Sequence, residues 1–177
     1  GDDIVEITVD SVLNAASISS FDIYDRDVIA ITEAVVARAQ GNYASVDQIA
    51  LDIKNNFNES TIGLVFPILS RNRFATCLKG IARASKKIVL MLSYPADEVG
   101  NHLVKLDLVD PCKVKPWTDV LTATKYRELF GYPRHTFTDV DYVEYYREVV
   151  EAEDCELEII FANDARAILN YTKDVLA

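Results

Sequence analysis

Runs of consecutive apolar residues alternate along the chain with segments whose apolar side chains recur every three to four positions. The uninterrupted runs predict buried strands at 27–31, 61–66, 87–93 and 156–161. The helical spacing predicts helices at 46–57, 71–83, 118–130, 142–152 and 165–175. Strands without polar alternation are typical of sheets that are covered on both faces. The order therefore predicts an α/β fold: a mostly parallel sheet with helices on both faces, in three layers, with room for an antiparallel edge strand.

The hydrophobic pattern does not assign three segments to a helix or to a strand. Residues 4–12 alternate as a strand does, yet their apolar positions also fit one side of a helix. Residues 32–39 are mostly Ala and Val and fit either element. Residues 94–116 contain three prolines and are longer than an ordinary connection, which predicts a functional loop.

The length of 177 residues suits one domain, spanning 1–177, which buries roughly 70% of its unfolded surface. Half of the residues are apolar, but no apolar run is long enough to span a membrane and no signal peptide is visible. The single Met is Met91, so the chain has no initiator Met. We therefore expect it to start inside, or to be trimmed from, a longer protein.

The balance of charge disfavours general nucleic-acid binding. The chain has 18 basic and 28 acidic residues, a net charge of −10, whereas nucleic-acid binding needs a basic face. Residues 71–87 nevertheless hold six bases and no acid. This basic island predicts that an anion is bound there. The alternative is a solvated helix face.

The three cysteines, Cys77, Cys112 and Cys155, are far apart in the sequence. Their number and spacing argue against a disulfide framework and a thiolate zinc site, and favour a cytoplasmic setting. Glycine-rich nucleotide loops, the zinc protease helix and the serine hydrolase elbow have no counterpart in the sequence. Tyr145 and Tyr146 are expected to be packing residues.

The segment Ser70-Arg71-Asn72-Arg73 lies where the second predicted strand gives way to a helix. Ser70 is a favourable N-cap residue. Cations in a first helical turn oppose the helix dipole, at a cost of roughly 0.3–1 kcal/mol each. A bound anion among the free backbone N–H groups would offset that cost, and ligands gather at the carboxyl ends of parallel strands. The sequence thus predicts a phosphate site at Ser70, Arg71 and Arg73, with ion pairing to nearby acids as the alternative.

A second polar segment, residues 97–102, follows the third predicted strand. Asp97 and Glu98 offer the hard oxygen ligands that suit Mg²⁺ or Mn²⁺, and Gly100 allows a tight turn. Glu98 and His102 are four residues apart and would share a helical face. The sequence predicts a metal site at Asp97 and Glu98, and the alternative is an acidic loop.

Several segments together resemble the coenzyme F-420-0:γ-glutamyl ligase family. They are Gly1-Asp2-Asp3-Ile4, residues 25–31 (DRDVIAI), residues 36–41 (VARAQG) and, more weakly, Asn72-Arg73-Phe74 with Gly80-Ile81-Ala82. The chain resembles a long, divergent bacterial branch of that family, of which it would be the N-terminal part. The resemblance is concentrated in the first 41 residues.

The resemblance implies an α/β protein that binds GTP and a divalent metal. The family joins L-glutamate through a γ-linked amide to the lactyl phosphate tail of a deazaflavin, by way of an acyl phosphate. Arg38 stands where the family has a phosphate-side lysine, and Glu33 and Ala34 stand near its nucleotide-contacting pair.

The chain also departs from the family pattern. Ala37 and Gln40 replace the usual Ser and Glu, and Ile68-Leu69 stand at the family's metal-binding Asp-Thr pair. The insert that carries another metal aspartate is absent. The sequence leaves two options: Asp97 and Glu98 supply metal ligands, or the ligase activity has been lost or changed.

Two functional hypotheses follow. The first is a ligase-like enzyme that binds a phosphorylated small molecule and L-glutamate with GTP and Mg²⁺ or Mn²⁺. The second is a non-catalytic ligand-binding or assembly module that keeps the fold. Neither nucleic acid nor a membrane is an expected partner, and a homodimer is compatible with both hypotheses.

Overall fold

The computed structural model describes residues 1–57, 61–66 and 68–177, and divides the chain into two compact units. The first unit is Gly1–Ser45 and the second is Val46–Ala177. No helix in the described part of the chain combines the length and the apolar character that a membrane span requires.

The first unit contains two helices, α1 at Ile4–Ser19 and α2 at Glu33–Ala39. The open pattern of residues 4–12 is therefore resolved as a helix. Asp3 caps it, because its carboxylate accepts hydrogen bonds from the N–H groups of Val5 at 3.0 Å and Glu6 at 3.1 Å. The local cap outweighs the β-branched composition of the segment.

Two of the segments that carry the family resemblance contact each other in this unit. The Asp2 N–H donates to the Ala39 carbonyl oxygen at 2.9 Å. A Cβ atom at Gly1 would lie 2.4 Å from the same oxygen, so only glycine fits there. The first residues of the chain are thereby fixed to the end of α2.

The strand predicted at 27–31 is wrong. Tyr24 and Asp27 close a turn, in which the Asp27 N–H donates to the Tyr24 carbonyl at 3.1 Å, and residues 28–31 follow as irregular chain. Val28 is 89% exposed. A strand exists only where a neighbouring strand pairs with it, and within the first unit, all of which is described, there is none.

The second unit is built on a five-stranded sheet, which confirms the predicted α/β fold. Its order is β3-β4-β2-β1-β5, with all neighbours parallel except β3 and β4. The strands are β1 at Thr61–Val65, β2 at Lys87–Leu92, β3 at Leu121–Thr122, β4 at Glu156–Phe161 and β5 at Val175–Leu176. The sheet is mostly parallel and has the antiparallel edge strand that the prediction allowed.

Four helices cover one face of this sheet and form the main core with it. They are α3 at Val46–Asn56, α4 at Arg73–Ala84, α5 at Ala123–Phe130 and α6 at Tyr142–Glu151. The helix predicted at 118–130 begins later, because Thr122 caps α5 by accepting a hydrogen bond from the Lys125 N–H at 3.2 Å. The residues before it form a turn and the short edge strand.

The opposite face packs against a 3₁₀ helix at Ala165–Asn170. The prediction of a helix at 165–175 is therefore wrong in type and length. The helix is of the 3₁₀ type and ends at Asn170, and the chain then pairs with β1 as β5. Gly63 of β1 makes this packing close, because a Cβ atom there would lie 2.7 Å from Ile168 Cγ1 and 2.8 Å from Thr172 Cγ2.

Residues 94–116 form a long connection, as predicted, with a short 3₁₀ helix at Leu106–Leu108. The Tyr94-Pro95 peptide bond is cis. Asn163, which follows β4, ties this connection to the sheet by donating to the carbonyl oxygens of Tyr94 at 2.6 Å and Pro116 at 3.0 Å.

Candidate functional site

The carboxyl ends of β1 and β2 lie side by side, since Val65 pairs in register with Met91 in parallel. The segments that follow the two strands therefore begin at the same edge of the sheet. These segments contain the predicted phosphate residues and the predicted metal residues. Ligands of parallel α/β sheets bind at this edge.

Ser70 caps the turn that leads into the helix after β1. Its Oγ accepts hydrogen bonds from the N–H groups of Arg73 at 3.2 Å and Phe74 at 3.5 Å. Regular helix begins at Arg73, two residues later than the sequence predicts, because residues 71 and 72 form a turn between the cap and α4.

Two tyrosines of α6 hold this turn in place, a function that the sequence analysis missed. The buried Tyr146 hydroxyl accepts from the Ser70 N–H at 3.0 Å and lies 3.3 Å from the Ser70 carbonyl oxygen, to which it donates. The Tyr145 hydroxyl donates to the Arg71 carbonyl at 3.2 Å. Burial raises the pKa of Tyr146 well above its ordinary value, so the hydroxyl keeps its proton. The spacing of the tyrosines on α6 gave no signal for a partner 76 residues away.

The side chains of Arg71 and Arg73 are exposed and form no ion pair with any described residue. Arg71 lines an open cleft of about 470 Å³ together with Lys79, Thr76 and Tyr145. This arrangement leaves two guanidinium groups at the predicted phosphate turn without a carboxylate partner. The structure therefore contradicts the alternative in which these two arginines pair with nearby acids.

The rest of the basic island is largely paired with acidic side chains. Arg83 donates to Glu153 through Nε at 2.7 Å and through a terminal nitrogen at 3.0 Å, and it also pairs with Asp47. These carboxylates raise the pKa of Arg83 above its ordinary value. Lys87 pairs with Glu156 at 3.0 Å and with Glu158 at 2.9 Å. The basic island at 71–87 therefore contains two unpaired arginines, Arg71 and Arg73, and residues such as Arg83 and Lys87 that form ion pairs.

Asp97 joins the two segments at the edge of the sheet. Its buried carboxylate accepts four hydrogen bonds: from the N–H groups of Leu69 at 2.9 Å, Val99 at 3.0 Å and Asn101 at 2.8 Å, and from the Asn101 amide at 2.7 Å. Two carboxylate oxygens offer about four lone-pair sites, so the acceptor capacity of Asp97 is filled. The geometry gives Asp97 a positioning function.

The loop around Asp97 is a tight turn rather than a helix. Gly100 has a φ of +85°, and the Asp97 N–H donates to the Asn101 carbonyl at 3.0 Å. The predicted turn at Gly100 is confirmed. Glu98 and His102 consequently do not share a helical face, since Ala96 pairs with His102 in an isolated antiparallel bridge.

Glu98 is exposed and makes no hydrogen bond or ion pair with a described residue. Across the described parts of the chain, no group of three or more His, Cys, Asp or Glu side chains converges to hold a metal. Metal binding by Asp97 and Glu98 stays a prediction, and of the two only Glu98 has free carboxylate oxygens.

Glu33 and Arg38 belong to the first unit. Glu33 lies in the first turn of α2 and Arg38 in its last turn. Arg38 is exposed and lines a groove of about 210 Å³ with Asp2, Ile4 and Val35. Nucleotide binding by these residues stays a prediction.

The fold places this protein among the α/β proteins whose parallel sheet presents polar loops at its carboxyl edge. The sequence model of the F420-0:Gamma-glutamyl ligase family matches residues 1–176. The chain belongs to this family, which confirms the resemblance. No curated protein and no solved structure matches the chain.

Proposed function

We propose that the chain is the nucleotide-binding part of an F420-0:γ-glutamyl ligase-type enzyme, which forms a γ-glutamyl amide bond on a phosphorylated acceptor. The family match over residues 1–176 carries this proposal. A divalent metal, Mg²⁺ or Mn²⁺, and GTP are the proposed cofactors. The proposed setting is the cytoplasm.

The edge formed by β1 and β2 supports a phosphate-binding function. Arg71 and Arg73 present unpaired guanidinium groups beside a helix N-terminus, where the backbone also favours an anion. Arginine binds phosphate oxygens in bidentate geometry, with charge-assisted hydrogen bonds. Ser70 orders the turn, and Tyr146 holds Ser70 against α6. We assign Arg71 and Arg73 to the phosphate groups and Ser70 to the turn that orients them.

Of Asp97 and Glu98, the two residues proposed for the metal, Glu98 is the one that could offer it a free carboxylate. Mg²⁺ binds through one or two carboxylates and the phosphates of its nucleotide, so a single free carboxylate meets part of the requirement. The Asp97 carboxylate would have to release hydrogen bonds to Leu69 or Asn101 in order to bind a metal. A bound metal supplies charge neutralisation at the phosphates, and Asp97 fixes the loop that presents Glu98.

Nucleotide titration tests the phosphate assignment. The full chain is titrated with GTP and Mn²⁺, and the shift of the thermal unfolding midpoint is measured. A ligand at 100 times its Kd adds about 2.7 kcal/mol to the free energy of unfolding. The Arg71→Ala, Arg73→Ala double variant should lose most of this gain. A control that removes the exposed Lys113 and Lys125, which pair locally with acids, should keep it. An equal gain in both variants would refute the assignment.

The filled acceptor sites of Asp97 favour a second candidate function, a non-catalytic ligand-binding or assembly module. In such a module the same loop stabilises the fold and does no metal chemistry. Release of phosphate from GTP in the presence of both L-glutamate and the phosphorylated acceptor separates the candidates, since the ligase consumes nucleotide only when it has an acceptor carboxylate to activate. Nucleotide binding without such release would favour the module.

A further inference from the structure

The only tryptophan of the chain, Trp117, is attached at the same edge of the sheet as the phosphate turn. β4 pairs with β2 in parallel, with Phe161 beside Leu92, so the carboxyl ends of β4, β2 and β1 adjoin one another. Asn163, just beyond β4, donates from its side-chain amide to the Pro116 carbonyl oxygen at 3.0 Å. Trp117 directly follows that proline, and its backbone therefore lies at the edge where ligands of such sheets bind.

The turn that carries Trp117 is fixed by hydrogen bonds on both sides of the tryptophan. The Lys115 N–H donates to the Asp119 carboxylate at 2.8 Å, and the Asp119 N–H donates back to the Lys115 carbonyl oxygen at 2.9 Å. The buried Tyr94 hydroxyl donates to the Asp119 carbonyl oxygen at 3.0 Å. Burial raises the pKa of Tyr94 to about 12, so this donor keeps its proton at neutral pH. The backbone of Trp117 is thus in place before a ligand binds, which lowers the entropic cost of binding.

The indole ring of Trp117 is uncovered. The residue is 83% exposed, and its side chain makes no hydrogen bond and no ring contact with any residue that the structure describes. Tryptophan is on average one of the more deeply buried residues of folded proteins. Bases stack on exposed aromatic side chains whatever their identity, because every base presents a flat π-face. A fixed turn that carries an uncovered indole at a ligand-binding edge therefore fits a planar ring.

Trp117 and the phosphate turn are separated by two strand intervals along this edge. In the order β4-β2-β1, Trp117 is attached beyond β4 and Arg71 lies beyond β1, with the Asp97 loop beyond β2 between them. Neighbouring strands lie about 4.8 Å apart, so β4 and β1 are about 10 Å apart. A nucleotide has the same arrangement, with its planar base at one end and its terminal phosphates at the other.

We propose that Trp117 stacks on the base of the nucleotide whose phosphates bind Arg71 and Arg73. This assignment rests on the proposed function, and it adds a positioning contact for the base. Trp117 lies outside all of the segments that carry the family resemblance, so the resemblance gives it no function. Since stacking tolerates any base, Trp117 positions the nucleotide without selecting guanine over adenine.

Isothermal titration of the full chain tests this proposal with two probes, GTP and inorganic tripolyphosphate, each in the presence of Mg²⁺. Trp117→Ala should weaken GTP by roughly 5- to 150-fold and leave tripolyphosphate unchanged, because only GTP carries a base. Trp117→Phe should keep part of the GTP affinity, because phenylalanine retains a ring. The Arg71→Ala, Arg73→Ala double variant should weaken both probes.

Tyr171→Ala is the matched control. Tyr171 is also an exposed aromatic residue, but it lies near the amino edge of the sheet, since the hydroxyl of Thr172 donates to the carbonyl oxygen of Thr61 at the start of β1. This variant should bind both probes as the wild type does.

Indole fluorescence of the wild type provides a second measurement that needs no variant. Because Trp117 is the single tryptophan, the signal reports on this position alone. GTP should quench the fluorescence, with a midpoint equal to the Kd from calorimetry, and tripolyphosphate should leave it unchanged.

A GTP affinity that Trp117→Ala leaves unchanged overturns the proposal, and so does an equal loss of affinity for GTP and tripolyphosphate. A dimer that is lost in Trp117→Ala at unchanged GTP affinity also overturns it, in favour of a protein interface. Absence of GTP binding to the wild type refutes the proposed function together with this inference. GTP binding that requires Arg71 and Arg73 but not Trp117 refutes the inference alone. Thermal unfolding of each variant shows whether the fold is retained.

Discussion

The Asp97 carboxylate and the backbone N–H of Leu69 form a 2.9 Å hydrogen bond that connects the segments after β2 and β1. Leu69 directly precedes the phosphate turn that begins at Ser70, and Glu98 directly follows Asp97. The bond therefore couples the position of the arginine turn to that of the acidic loop. One buried carboxylate sets the spacing of both parts of the candidate site.

Asp97→Asn should destabilise the protein by about 2–3 kcal/mol, measured as the free energy of unfolding in urea. The amide would place N–H donors opposite the N–H groups of Leu69 and Asn101, so at least one buried contact would be lost. The exposed neighbour Glu98 is the control, and Glu98→Gln should change stability by no more than about 0.5 kcal/mol. Similar effects from the two variants would contradict the positioning function of Asp97.

Tyr146→Phe should lower the free energy of unfolding by about 1–3 kcal/mol, because it leaves the Ser70 N–H without its partner beneath the turn. The same variant should weaken nucleotide binding, since the turn is no longer fixed. Tyr145→Phe removes a hydroxyl that contacts the Arg71 carbonyl at an exposed position, and serves as the comparison. We expect it to cost less than half as much in the same urea titration.

Gly80→Ala tests the close contact of α3 and α4. A Cβ atom at Gly80 would lie 2.6 Å from Ile49 Cγ2, and overpacking costs about 1–3 kcal/mol, more than the gain of about 1 kcal/mol in helix propensity. The variant should therefore be less stable in chemical denaturation. An Ile49→Ala background removes the contact with Cγ2 but keeps Ile49 Cβ, which a Cβ at Gly80 would approach to 2.8 Å, so the same substitution should cost less than in the wild type without becoming stabilising. If Gly80→Ala lowered the free energy of unfolding equally in both backgrounds, the contact with Ile49 would not be the cause.

Glu153 should make stability depend on pH in the acidic range. Hydrogen bonds from Arg83 hold the pKa of this carboxyl below its ordinary value of about 4.5, and burial partly opposes them. The unfolded chain then binds more protons near that pH, so the contribution of Glu153 is present above pH 4.5 and lost as the pH falls below it. Glu153→Gln should be less stable than the wild type at neutral pH, and the difference should shrink on acidification.

The control for the pH experiment is Glu151→Gln. Glu151 is an exposed residue of α6 whose contact with Arg147 spans 3.7 Å. Exposed pairs of this kind contribute about 0–1 kcal/mol, so its difference from the wild type should stay small at every pH. Thermal unfolding midpoints measured from pH 3 to pH 8 provide the comparison. A constant difference for Glu153→Gln would contradict the linkage.

The buried strands of the second unit could be predicted from the sequence because they are apolar without interruption. β1, β2 and β4 lie within one or two residues of their predicted bounds, and the turn at Gly100 is where the sequence predicts it. The segment at 27–31 has the same apolar character but lacks a strand to pair with. Local composition does not reveal whether a neighbouring strand exists, and this explains that error.

The position of the candidate site could be predicted from the sequence, but the contacts that fix it could not. Ser70 and the arginines follow a strand directly, so their position at the edge of the sheet follows from local sequence. The contacts that fix them come from Tyr146 and Asp97, which are 76 and 28 residues away from their partners. The presence of an aspartate in a sequence does not indicate whether its carboxylate will accept hydrogen bonds or bind a metal. Only the fold distinguishes the two.

The two outermost strands of the sheet, β3 and β5, are each two residues long. An exposed sheet edge can recruit a strand from another molecule, and short edge strands are one way in which proteins prevent this. The β3 strand itself therefore offers an incoming strand few backbone hydrogen bonds. Pairing of two copies of this unit through β3 would be limited to a short ladder.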